Sequence, residues 1–157
     1  MATLRATYKV TSHIPKASGG LLRAIAAGLS DFGEVLIKTI QTEYLSGPRP
    51  ARLGVGSGQL RASITKQLGQ TGSLLWVRVG PRGLPYVRIH EFGGTILPKK
   101  AEFLKFKING RWIYTKKVIM PARPYLRPAL EKNHARFQAM IAKRIAEYTL
   151  LSKGGKL

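Results

Sequence analysis

Lys105-Phe106-Lys107-Ile108-Asn109-Gly110-Arg111-Trp112-Ile113-Tyr114 places Asn-Gly between two runs rich in β-branched and aromatic residues. Asn-Gly is the preferred pair for a two-residue type I′ hairpin, because both central residues must take positive φ. In that register Phe106 faces Ile113 on one side of the ribbon, while Lys107 faces Trp112 and Lys105 faces Tyr114 on the other. One face is expected to be apolar and to pack inward. The other interleaves lysines with aromatics. Such pairs suit cation–π contacts of about 0.5–1 kcal/mol at an exposed site, a surface that meets a polyanion or a protein, or simply the solvated outside of a sheet.

The β pattern continues on both sides of the hairpin. Upstream, Leu75, Val77 and Val79 alternate with Trp76 and Arg78, the period of a half-buried strand. Thr65 to Gln70 supplies its neighbour through Thr71-Gly72, and Ser57 is placed to cap a short helical turn through Leu60 and Ile64. Downstream, Val118 to Met120 forms a third strand-like piece. Farther out, the period becomes helical. Leu22, Ile25, Leu29, Phe32, Leu36, Ile40 and Tyr44 mark one apolar face that ends at Ser46-Gly47-Pro48-Arg49-Pro50, with Gly28 and Gly33 weakening it locally. Pro128 suits the first turn of a second helix, whose face carries Leu130, His134, Phe137, Ile141, Ile145 and Tyr148.

The chain therefore reads as α+β: a long N-terminal helix, a mostly antiparallel β meander, and a long C-terminal helix packed on the sheet. A single domain spans residues 1–157. Residues 1–18 form an N-terminal arm or edge strand, 46–58 and 94–102 are long loops, and 152–157 form a flexible tail. The alternating Gly54, Gly56 and Gly58 do not match a nucleotide-binding spacing, and no strand precedes them. A loop carrying Arg49 and Arg52 is the simpler reading.

The 157 residues include 27 lysines and arginines against 7 acids, a formal net charge of +20. Such a field attracts nucleic acid, anionic lipid or an acidic protein surface. The cations are spread along the chain rather than gathered in a tail. There is no cysteine, which excludes disulfides, thiolate zinc sites and a thiol nucleophile. No apolar run approaches the roughly 18 residues of a membrane span. The acid-free first thirty residues faintly resemble a transit peptide, but the apolar period runs on into the helix, so a cytosolic product is expected.

Tyr86-Val87-Arg88-Ile89-His90-Glu91-Phe92-Gly93-Gly94-Thr95-Ile96 is the densest stretch. Its double glycine implies a reversal or positive φ after Phe92. His90-Glu91 is either a chemical pair or part of what holds the turn. Zinc needs three or four ligands, and neither residue has a spaced partner such as H-x-x-x-H. Of the other histidines, His13 lies in the irregular N-terminal segment and His134 on an apolar helix face. No residue is assigned a catalytic, metal-ligating or cofactor-binding role. A structural clasp is expected instead, with Tyr86 leading in, Ile89 and Phe92 buried, His90 hydrogen-bonded, Gly93-Gly94 turning the chain, and Glu91 ion-paired with Arg88 or Arg123. Prolines on both sides of Arg123 would aim its guanidinium at a carboxylate, that of Glu91 or else one on an acidic neighbouring subunit.

Three motifs occur in order: Gly58-x-Leu60-x-x-Ser63-Ile64, the clasp stretch, and Pro121-Ala122-Arg123-Pro124-Tyr125-Leu126-Arg127-Pro128-Ala129-Leu130. Together they resemble the tail-completion, or head–tail joining, proteins of long-tailed bacteriophages. The resemblance covers residues 58–130; the arginine- and glycine-rich loop and the lysine-laden hairpin depart from it. It implies a non-enzymatic virion protein, assembled in the host cytoplasm as a ring at the head–tail junction, hexameric or else dodecameric. Its partners would be a neck connector or stopper and a tail terminator or tail-tube protein, with transient contact with DNA in the channel and no membrane. Arg49, Arg52, Lys99, Lys100, Lys105, Lys107, Trp112, Tyr114 and Arg127 are the expected subunit or partner interface. The other class of function is a basic nucleic-acid-binding module, although no helix-turn-helix, zinc-finger or RNP signature accompanies the charge.

Overall fold

A computed structural model describes residues 6–11, 19–47, 58–72 and 74–153. The apolar period that begins near Gly20 forms helix α1 (Gly19–Thr39) and runs into a π-helical turn at Ile40–Tyr44. Ile25, Leu29, Phe32, Leu36 and Ile40 of this face are buried, as is Leu45 just beyond it. Gly28 and Gly33 do more than weaken the helix. A Cβ on Gly28 would lie 2.9 Å from Ile141 Cδ1, and one on Gly33 would lie 3.2 Å from Val77 Cγ2. The two glycines thus let the helix approach another helix on one side and the sheet on the other.

The sheet beneath α1 has three antiparallel strands in the order β1 (Ala6–Thr11), β3 (Leu74–Pro81), β2 (Ile64–Thr71). Part of the expected N-terminal arm is therefore an edge strand. Its backbone pairs Ala6 with Val79 through to Thr11 with Leu74. The one-turn helix α2 (Gln59–Ala62) follows Gly58, whose φ is 76°. Ser57, Arg49, Arg52 and most of the expected 46–58 loop lie outside the described residues.

After β3 the chain forms a short helix, α3 (Val87–Phe92), then β4 (Gly94–Ile96), β5 (Leu104–Ile108), β6 (Arg111–Thr115) and β7 (Val118–Met120). These strands do not continue one meander. They make two separate two-stranded ribbons, β4 with β7 and β5 with β6, so the hairpin is inserted between the strands of the other ribbon. Residues 94–96 are strand rather than loop because Thr95 pairs with Ile119, and Gly94 and Ile96 with Met120 and Val118. The hairpin register is the expected one, with Lys105 opposite Tyr114, Phe106 opposite Ile113 and Lys107 opposite Trp112. Asn109 and Gly110 both have positive φ, 49° and 81°.

The C-terminal helical region is broken in two, α4 (Leu126–Lys132) and α5 (His134–Lys153), so Ser152 and Lys153 belong to a helix and not to a tail. The break is at buried Asn133, whose side-chain amide donates to Ala129 O at 2.9 Å and to Thr39 Oγ1 at 3.3 Å. His134 is exposed, and Asn133 and Phe137 take the inward positions instead. Phe137 meets Phe32 edge to face, with ring centroids 4.8 Å apart. Phe137 and Ile141 join Leu75, Val77 and Val79 of the sheet in one core cluster with α1. The fold is α+β, with both long helices packed against an antiparallel sheet. Arg144 of α5 also reaches Asp31 of α1, its Nη2 lying 2.7 Å from Oδ2. Among the described residues no helix is long and apolar enough to cross a membrane.

Candidate functional site

The clasp stretch folds as a helix followed by a tight reversal. Val87 and Glu91, one helical turn apart, are both buried. Gly93 has φ 67° and Gly94 φ 147°, so each takes a backbone conformation that other residues rarely adopt. At Gly93 a Cβ would also lie 2.7 Å from the Ala122 amide nitrogen and 2.8 Å from Met120 O. The glycine is needed because the 120–122 backbone passes directly over it.

That contact is one of a series joining the turn to Pro121–Arg127. The Arg123 amide donates to His90 O at 2.8 Å. The Glu91 carboxylate accepts from three consecutive amides: Tyr125 and Leu126 on Oε2 at 2.8 and 3.1 Å, and Arg127 on Oε1 at 3.1 Å. These amides open α4. Every helix leaves its first N–H groups without intrahelical partners, and aligned peptide dipoles make that end positive. Tyr125, at the N-cap, makes no side-chain capping bond. Glu91 caps α4 from another helix.

The expected ion pair is therefore corrected. Among the described residues neither Arg88 nor Arg123 forms an ion pair with Glu91, and the carboxylate's charge is matched by backbone dipoles instead. Phe92 is corrected too. It is 62% exposed rather than buried, because the helical turn that carries Val87 and Glu91 inward points the next residue out. Ile89, Tyr86, His90 and Arg123 are half-buried. Tyr86 meets His90 edge to face with centroids 5.6 Å apart.

Tyr125 is fully buried, and its hydroxyl has no hydrogen-bond partner among the described residues. Burial, with the nearby Glu91 carboxylate adding to it, pushes its phenol well above the ordinary value of 10.0.

The hairpin brings its lysines and aromatics together. Lys105 Nζ lies 4.5 Å from the Trp112 ring centroid and 5.5 Å from that of Tyr114, and Lys107 Nζ lies 4.8 Å from Trp112. Lys116 stands similarly over Phe103. The other face does not pack fully inward as expected: Ile108 and Ile113 are exposed, and neither belongs to the core. Between the two ribbons runs an apolar cleft of about 290 Å³, lined by Ile96, Leu104, Phe106, Val118 and Met120, with Lys105 at its edge. Phe92, Leu97 and Ile119, the last 70% exposed, stand at or beside the β4–β7 ribbon. Lys99 and Lys100 are exposed just beyond β4, and the Arg127 side chain pairs with Glu131 at 2.8 Å.

On the three-stranded sheet, Trp76 lies across Gly69, its strand partner, with Arg78 stacked 4.2 Å from its ring centroid. The groove beside it, lined by Thr65, Lys66, Gln67, Arg78 and Arg82, is polar. Its Lys66 is already held by Glu34 at 2.8 Å and Ser30 Oγ at 2.7 Å. Among the described residues no group of three or more histidines and carboxylates is placed to hold a metal ion.

Sequence reasoning missed Val87, Leu97 and Ile119. The first was signalled by its four-residue spacing from Glu91, and Ile119 by alternation with Val118 and Met120. Comparison of the chain with protein-family models, with curated proteins and with solved structures gave no match.

Proposed function

We propose that this chain is a non-enzymatic structural subunit of a bacteriophage neck, which assembles as a ring, a hexamer in the first instance, and joins or completes the tail at the head–tail junction. The observation that carries this reading is the set of large apolar side chains left in water around the β4–β7 ribbon. Phe92 at the end of α3, Leu97 just past β4 and Ile119 within β7 are each more than half exposed. Exposed apolar clusters of this kind characterise surfaces that are covered by assembly. The order of the three sequence motifs supports the same reading. So does the way the second and third of them interlock, through Glu91 and the opening amides of α4.

Antibody labelling of virions, imaged by electron microscopy, tests the assignment. Label at the head–tail junction is expected, and virions that carry none of the protein overturn it. The lysine–aromatic ribbon favours one other reading, a free nucleic-acid-binding module. For that module, the isolated chain would bind random duplex DNA at sub-micromolar concentration with steep salt dependence, since phosphate contacts release counterions. For the neck subunit, duplex binding is weak.

A further inference from the structure

The cleft between the two ribbons combines an aliphatic floor with a strongly one-sided charge. Its lining is Ile96, Leu104, Phe106, Val118 and Met120. Seven lysines and arginines stand between Gly93 and Met120 against one acid, Glu102. Each ribbon has only two strands, so each keeps strand edges without a strand partner among the described residues. An extended peptide can add to such an edge through its backbone while alternate side chains enter a pocket.

We propose that this cleft binds an extended acidic peptide segment of a partner protein, with apolar side chains seated between the ribbons and carboxylates paired with the hairpin lysines. This deepens the neck-subunit reading and rests on it, since the ribbons are taken as an assembly surface. Three observations select this occupant. A second copy of a chain whose net charge is +20 would bring further positive charge to this cation-rich region, and like charges face to face oppose docking. Nucleic acid has no aliphatic groups to fill a floor of Ile96, Leu104, Val118 and Met120. Of the rings that a base would stack on, Trp112 already carries both Lys105 and Lys107 within 5 Å of its centroid. Those contacts hold the two ammonium groups over one ring on the hairpin's other face, with Lys105 at the cleft edge. An extended segment whose apolar side chains enter the cleft thus turns its alternate carboxylates toward them.

The test uses the purified full chain and synthetic peptides with leucine at alternate positions and glutamate, glutamine or lysine between them, titrated by calorimetry. The expected affinity order is glutamate, then glutamine, then lysine, with about tenfold or more between the extremes. Serine in place of leucine costs about tenfold again. The double variant Lys105→Glu with Lys107→Glu, both exposed positions, reverses the preference from the glutamate to the lysine peptide. Equal binding of the serine and leucine peptides overturns the proposal, because charge alone would then explain it. So does single-stranded DNA that binds more tightly than the glutamate peptide and displaces it, or absence of saturable binding by any peptide. Circular dichroism checks that the double variant is folded. Virion labelling is read without peptide, so the neck assignment and the cleft assignment fail separately.

Discussion

The Glu91 carboxylate lies 2.8 Å from the Tyr125 amide and supplies α4 with the cap that its own N-cap residue does not. The pair is 34 residues apart in sequence, so the bond fixes tertiary structure as much as a helix end. Removing the carboxylate strands three amide donors at a site where Glu91 itself is 5% exposed. Glu91→Ala is expected to cost about 3–5 kcal/mol in denaturant unfolding. Glu91→Gln keeps one acceptor but turns an NH2 toward a donor, and is expected to cost about 2 kcal/mol. Arg88→Ala, at an exposed position, should stay within about 0.5 kcal/mol. An Arg88→Ala loss as large as that of Glu91→Ala would restore the ion-pair account.

Gly93→Ala is expected to be among the most damaging single-methyl changes in the chain. It meets both a positive φ and backbone atoms of residues 120–122 at under 3 Å. Gly83 also has a positive φ, but a Cβ there meets nothing within 4 Å. Gly83→Ala should therefore cost about 1 kcal/mol and Gly93→Ala about 3 kcal/mol or more. Equal melting temperatures for the two variants would show that the segments can separate freely.

Tyr125→Phe removes a hydroxyl that is buried without a partner among the described residues, so stability at neutral pH is expected to hold or rise. The pH dependence has a definite sign. The folded phenol is raised above its ordinary 10.0, so the stability it contributes is complete below pH 10.0 and is lost above it. Relative to Tyr125→Phe, the native chain should lose stability above that pH with a slope approaching about 1.4 kcal/mol per pH unit. Parallel curves for the two proteins would contradict the burial of the phenol.

Phe92→Ala separates folding from assembly. Phe92 is 62% exposed, so its loss should shift unfolding by no more than about 0.5 kcal/mol. In phage carrying the substitution, filled heads and tails are expected to remain unjoined. Normal virion yield from that mutant counts against the role of this surface.

The parts of this fold that were legible in sequence are those whose pattern is local. The α1 face repeated over its whole length, β3 alternated cleanly, and Asn109-Gly110 fixed the hairpin register without reference to the rest of the chain. The rest depended on partners far away. Whether β4 and β7 belong to the main sheet is set by tertiary pairing, which three-residue strands cannot advertise. The break at Asn133 depends on Thr39 on the facing helix. An arginine partner was expected for Glu91 because excess arginine suggests ion pairs, whereas the backbone amides that it accepts from have no letter in the sequence. Phe92 was misplaced for a related reason. Beside a double glycine the stretch reads as a turn, and only a helical Val87–Phe92 sends Val87 and Glu91 inward and Phe92 outward.

The insertion of the hairpin has a consequence for how this molecule can change. Ile96 and Val118 are paired, so everything from Leu97 to Lys117 leaves the body and returns to it through one doorway two strands wide. None of the core side chains comes from that excursion. A short glycine-containing turn grafted across Ile96 and Val118 would preserve the core, so the excursion can lengthen, shrink or exchange its charges while the rest stays put. The fold thus keeps its identity and its contacts on separate pieces of chain.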